Sequence, residues 1–514
     1  MAVWSFENAA HLLRRTGFGG TTQQIQDFYD KHTSVADAVD DILSFVPSKK
    51  KPPKGGRDFY RGQRKQKEWW IKTMMKTATP KDAMREKMVL FWHGHLCSGL
   101  SKQPDVGYMA IQNGLFRRYS KGNFKNLIRE FNRDPANLWY LDGIQNWASN
   151  DGVHVTANEN FGRELMELFT LGISQFAADG TNDPSKPNYD EVDVHQMARA
   201  LTGWVDIEKN VGVWRDYAWD GGKYDDGGGM DHPGDPVVIF GVANNNYRIG
   251  SLDDLPAPAD DVLEAIFNKV DDAGNRQVAM FLSRKLWTYF AYPAPAPGLK
   301  ALLAGFAATF VAANWEVEPL LRAMLNHDEF YGDTAKTRTV KSPVDYMVGL
   351  TKTLGVPCKG RTVGDSAELQ DLLEDMGQQL FEPPNVAGWP GGKRWVTTGT
   401  LVTRLEFARN LAESDWGSSM LALGTIVPIG SATTDPGVVV DAIIRRLGLD
   451  GSDAATYQGG IALTSAQRAA VLDFITDGGT KATLDLGDAW TDDAKYYVRG
   501  AIALVLQSAE AQIF

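Results

Sequence analysis

Apolar residues recur at helical spacing along most of the chain, and the breaks between them carry ordinary stop signals. His11-Leu-Leu-Arg-Arg opens an apolar-periodic stretch, Thr16-Gly-Phe-Gly-Gly ends it, and a helical pattern resumes from Thr22 to Leu43. Residues 47–57 are rich in Lys, Pro and Gly and predict a loop. From Gln66 to Leu96 the pattern is helical again, with Trp69, Trp70, Met74 and Met75 near helical spacing. Pro80 begins a new helix over Asp82–Trp92, which ends at His93-Gly-His-Leu-Cys-Ser-Gly. Residues 105–148 read as helices with polar breaks, and Asp134-Pro-Ala-Asn as a helix start. Two further helices are expected over 158–172 and 190–204, separated by a Gly/Asp/Pro loop at Ala177–Asn188.

The pattern changes at 206–260, where Gly, Asp, Asn, Trp and Tyr dominate. This stretch reads as an irregular excursion with at most a short hairpin near Val237–Tyr247, and long loops of this kind more often serve function than not. Helical patterns return over 261–332 and 343–411. The fold class expected is all-α, a multi-helix globular domain with long irregular loops. The organisation expected is a main helical domain over 1–415, a Gly/Ser/Thr-rich linker at 416–435 and a helical tail or subdomain over 436–514.

Composition narrows the function classes. Of the 514 residues 43% are hydrophobic and 23% charged, enough for a large core. The net charge of −11 argues against a nucleic-acid partner, and no nucleotide cofactor is expected because no Walker-type loop is present. A nucleophile elbow and an H-E-x-x-H motif are also missing. With only Cys97 and Cys358, no disulfide framework or Cys-based zinc site is implied. No apolar run reaches the ~18 residues of a membrane span. Met1-Ala-Val-Trp-Ser-Phe-Glu-Asn lacks a basic n-region before an apolar run, so the chain as written is expected to be cytoplasmic.

Four stretches carry candidate chemistry. In Asn158–Gly172, Phe161, Leu165, Leu168 and Phe169 form an apolar face, while Asn160, Glu164 and Glu167 form a polar stripe beside it. Two carboxylates one turn apart can bind a hard metal, or one can stay protonated as a general acid while the other is charged. They can equally be a solvated face paired with Arg163. His93 and His95 share a side of an extended chain and can chelate a metal there, or can satisfy helix-end carbonyls. On the helix ending at Trp204, Arg199 can pair with Glu164 or Glu167, and His232 lies in the irregular segment. Phe381–Trp395 is a Pro/Gly-rich loop presenting Trp389 and Trp395, which can stack on sugars or cap the core.

Taken in order, several blocks resemble one family. They are Leu12-Leu-Arg-Arg-Thr-Gly-Phe-Gly, Arg85-Glu-Lys-Met-Val-Leu-Phe-Trp-His-Gly-His, Asp134-Pro-Ala with Tyr140-Leu-Asp, Asn158–Gly172, Asp193-Val with Ala198-Arg-Ala-Leu-Thr-Gly-Trp, and Pro383-Pro-Asn-Val-Ala-Gly-Trp-Pro-Gly-Gly. The chain resembles the bacterial family called domain of unknown function 1800 over roughly residues 8–410. The resemblance supplies no reaction. It implies an exported, periplasmic setting where a leader has been removed, and a sulfatase-like partner protein. Two departures stand out: Gly94 where the family usually has Asn between the histidines, and Pro233 and Val237 where the loop motif has Asp and Lys.

The leading expectation is a hydrolytic enzyme. Glu164, Glu167 and Arg199 would carry catalysis, and Asn160, Trp204, Trp389 and Trp395 would bind a polysaccharide or cell-envelope substrate. His93, His95 and His232, together with the Glu side chains, would hold a divalent metal ion that activates water. A metal-free version makes one Glu the general acid on a glycosidic bond. The alternative is a non-catalytic scaffold that grips a polysaccharide or protein with its aromatic-rich loops.

Overall fold

A computed structural model describes residues 2–53, 58–146, 158–202, 204–208, 211–214, 237–244, 259–356, 368–413, 421–427, 435–449, 463–486 and 490–514. Its axis is the helix Pro80–His95, capped by the Thr79 hydroxyl on the Asp82 N–H with proline at its first position. This helix is buried on nearly every side. The helices Phe6–Thr16, Val35–Leu43, Phe59–Met75, Gly107–Arg118 and Gln277–Phe290 pack around it. A helix enclosed this way should be apolar throughout, yet this one carries Glu86, Lys87, His93 and His95, all buried.

Each of those polar side chains bonds a different neighbour, while His95 Nδ1 is left without a partner among the described residues. Glu86 meets Arg117 at 2.5 Å, and Lys87 meets Asp345 at 2.7 Å. His93 Nε2 accepts the Phe381 N–H at 3.0 Å, and His95 Nε2 bonds the Phe169 carbonyl at 3.1 Å. The central helix thereby fixes the positions of four other segments. One of these contacts joins residues 288 apart in sequence.

The chain is mostly α-helical, in agreement with the periodicity. Three two-stranded antiparallel ribbons interrupt it among the described residues. Ser174–Phe176 pairs with Asn182–Pro187, where the sequence predicts a loop. Trp204–Glu208 pairs with Val211–Trp214, so Trp204 opens a strand instead of closing the preceding helix, which is Glu191–Ala200. Val237–Ile239 pairs with Val242–Asn244, within the hairpin region expected there. His232 lies outside the described residues.

The C-terminal helices are tied into the main body. Asp492–Leu506 packs on Thr398–Glu413, and Pro436–Leu447 on Pro343–Leu354. Lys341 N–H donates to the Gln512 carbonyl at 2.8 Å, and Phe514 N–H to the Thr339 carbonyl. The Phe514 ring lies 4.2 Å from the buried Arg15 guanidinium. Within the stretch expected as a linker, residues 421–427 are described, and Leu421, Leu423, Ile426 and Val427 are buried. Among the described residues no helix is long and apolar enough to cross a membrane.

Candidate functional site

The carboxylate stripe forms where a helix changes its winding. Glu159–Glu164 is α-helical, capped by the Asn158 side chain on the Asn160 N–H. Leu165–Thr170 is π-helical: the Leu171 N–H reaches back five residues to the Met166 carbonyl at 2.8 Å. The added residue rotates the rest of the helix about its axis. Met166 is buried together with Phe161, Leu165 and Phe169, while Leu168, expected in the apolar face, is half-buried. Single π turns inside helices are frequent at functional sites. Gly172 then stops the helix at φ +79°, with no room for a Cβ against Phe281.

Glu164 and Glu167 are both half-buried and differ in environment. Burial, reinforced by the negative charge of Glu167, raises the Glu164 carboxyl above its ordinary range, and Arg163 opposes this only partly. Glu167 receives the Tyr189 hydroxyl as a hydrogen-bond donor. Tyr140 lies within electrostatic reach: burial first, then Cys97, Glu382 and Glu164, push its hydroxyl up to about 12. Glu382 comes from the Pro/Gly loop and accepts from the Ser101 N–H and hydroxyl at 2.9 and 2.5 Å. Asn160 donates to the Leu141 carbonyl at 3.4 Å. Glu167 thus lies against Tyr189, and the charges of Glu164 and Glu382 both act on Tyr140. Sequence spacing does not reveal Tyr140, Tyr189 or Glu382. Tyr140 sits in one of the motif blocks, but nothing in its spacing points to Glu164.

The expected ion pairs are rearranged. Arg163 pairs with Glu191 at 2.8 Å and Glu159 at 3.2 Å, and not with the stripe. Arg199 is fully buried and donates to Gln196 at 3.1 Å. The Trp204 side chain is buried.

The two histidines lie in the last turn of a helix, not in an extended chain. Two residues apart on a helix, they point in nearly opposite directions, and each Nε2 already bonds backbone. Burial alone holds His93 down to about 3, and burial with the charge of Lys285 holds His95 well below the histidine range. Among the described residues no three His, Cys, Asp or Glu side chains converge on one point. The shared His/Glu ligand set expected from the sequence is therefore not assembled by these residues.

The Phe381–Trp395 loop closes over this helix end. Gly388, at φ +82°, brings the loop so near that a Cβ would stand 2.3 Å from the Gly94 carbonyl oxygen. Trp389 meets His93 edge-on at 5.3 Å, and a Cβ on Gly94 would already touch its ring at 3.7 Å. The indole lies against the helix at Gly94. Gly388→Ala is expected to cost about 2–4 kcal/mol, from the left-handed φ and the clash with backbone. Thermal unfolding checks the loss, and a red-shifted tryptophan emission would report Trp389 lifting away. Trp389, Trp395 and His95 line one pocket of about 360 Å³, whereas Glu164 and Glu167 do not line it.

No curated protein and no solved structure matches this chain. A family model does match, over residues 11–513, and so covers the C-terminal helices as well as the motif blocks. The chain belongs to the DUF1800 family of proteins of unknown function.

Proposed function

We propose that this protein is a hydrolytic enzyme that works by acid–base chemistry through Glu164 and Glu167 on a polar substrate of the polysaccharide kind. The carrying observation is the raised carboxyl of Glu164 beside a second carboxylate. Burial, and then the charge of Glu167, push Glu164 toward its protonated form, and Glu167 accepts a hydrogen bond from the Tyr189 hydroxyl. A carboxyl held protonated next to a second one can serve as the acid of an acid–base pair. As the glycosidic C–O bond breaks, Glu164 gives its proton to the leaving oxygen, and Glu167 takes a proton from the attacking water. Asn160, one turn before Glu164, is placed to orient the substrate. The scheme routes no step through a metal, because both imidazoles are engaged by backbone. The closed pairs Glu86–Arg117 and Lys87–Asp345 serve architecture instead.

The test is release of reducing ends from a panel of polysaccharides by wild type, Glu164→Gln and Glu167→Gln, with and without a chelator. The expected result is cleavage that survives chelation and falls about a hundredfold in Glu164→Gln. It should weaken as pH rises and Glu164 loses its proton. Glu164→Gln cleaving like wild type would overturn the assignment. Retention of a polysaccharide without cleavage would move the protein to the scaffold reading.

A further inference from the structure

The pocket at Trp389 and Trp395 holds chemistry that Glu164 and Glu167 do not use. Arg284, Lys285 and Arg338 line it, against a single carboxylate side chain, Asp345. That carboxylate is already committed to Lys87 at 2.7 Å and to the Ser342 hydroxyl at 2.9 Å. In a chain of net charge −11 this pocket is locally cationic.

The three cations differ in what they hold. Arg284 donates to the Asn182 side chain at 2.6 Å and the Gly180 carbonyl at 3.3 Å, and lies over Phe176. Arg338 is exposed at the rim and donates to the Pro295 carbonyl at 3.1 Å. The Lys285 ammonium has no hydrogen-bond or ion-pair partner among the described residues. Its neighbours are the Phe281 ring, 5.8 Å away, and the imidazole of His95, on which its charge acts. Burial lowers Lys285 below the ordinary lysine range, and no carboxylate is among the charges that act on it. A recessed ammonium without a counter-ion is costly to keep charged, and an entering anion would relieve that cost.

The remaining lining is aromatic and hydroxylic. Trp389 and Trp395 supply apolar faces with polar edges, and Thr288, Thr339 and Ser342 supply hydroxyls. The volume is of the order of small-molecule pockets, which begin near ~300 Å³. We propose that this pocket binds an acidic sugar unit, with its carboxylate on Lys285 and its ring against Trp389 and Trp395. The site stands whether or not Glu164 does chemistry, because its readout is equilibrium binding.

The experiment is calorimetric titration of the full chain with glucuronate, glucose and inorganic phosphate, for wild type, Lys285→Met and Arg338→Ala. Glucuronate should bind wild type at least tenfold more tightly than glucose or phosphate. Lys285→Met should abolish that preference while keeping its thermal midpoint, since an apolar side chain replaces an uncompensated charge. Arg338 is exposed, so its replacement leaves folding intact and should weaken glucuronate binding severalfold with a shallower salt dependence. Four outcomes would each overturn the proposal: no glucuronate binding at millimolar concentrations, glucose binding equal to glucuronate, phosphate binding equal to glucuronate, or an unchanged preference in Lys285→Met.

Discussion

Glu86→Gln will lose about 3–5 kcal/mol of folding stability, the cost of leaving one charge of a buried pair without its partner. Glu86 accepts from both terminal nitrogens of Arg117, at 2.5 and 2.7 Å, and from the Trp70 indole at 3.2 Å. Neither side chain of the pair is exposed by more than 1%. In glutamine one oxygen remains to accept from Arg117, beside the Asn113 oxygen at 2.8 Å, but the counter-charge is gone and the amide N–H donor is turned toward the guanidinium. Urea unfolding should show the midpoint falling with an unchanged slope. Replacing both residues by Met should recover most of the loss, because the desolvation cost of both charges disappears together. A single variant within about 1 kcal/mol of wild type would show that the pair is not what ties these helices together.

This pair also shows where the sequence is silent. Periodicity locates the central helix, its start at Pro80 and the helices around it, because core faces repeat every three to four residues. Glu86 and Lys87 break that pattern, and their partners Arg117 and Asp345 lie 31 and 258 residues away. Local spacing cannot announce a buried pair closed over such separations. Trp204 reads as helical because Leu201-Thr-Gly-Trp continues the apolar pattern, but strand pairing with Trp214 takes it over. The motif blocks are legible and identify the family, and Asn158–Gly172 stands out in the sequence as unusual. Its π turn does not, because one added backbone residue leaves no mark in composition.

The same limit governs the histidines. His-Gly-His reads as a chelating pair only if the chain is extended. The helix instead runs through His95. Both imidazoles are buried, and burial holds them below the ordinary histidine range. Their Nε2 atoms fix the Pro/Gly loop and the π turn, which are the two segments that carry the candidate chemistry.

Stability should therefore fall with acid as the buried imidazoles take up protons on unfolding. His93 titrates at about 3 in the folded chain against 6.5 when unfolded, and His11 and His95 are likewise well below 6.5. Burial is the largest cause in all three. Depressed folded values mean that the unfolded chain binds more protons between these limits. The stabilisation is fully present above pH 6.5 and is lost as pH falls toward the folded values. Each imidazole contributes a slope of about 1.4 kcal/mol per pH unit in that window. Asp134, which burial pushes up to about 7, takes up a proton in the folded chain over the same range and offsets one of the three, so the net slope approaches about 3. Against a typical total of about 5–15 kcal/mol, two or three pH units remove much of it. Unfolding free energies from urea titrations between about pH 7 and 4.5 would measure the slope. In His93→Gln, whose side-chain oxygen can still accept the Phe381 N–H, the slope should flatten by about 1.4 kcal/mol per pH unit. Parallel curves for wild type and variant would mean that His93 can take up its proton without unfolding, by swinging out from beneath Trp389. The loop that covers it would then be a gate rather than a clamp.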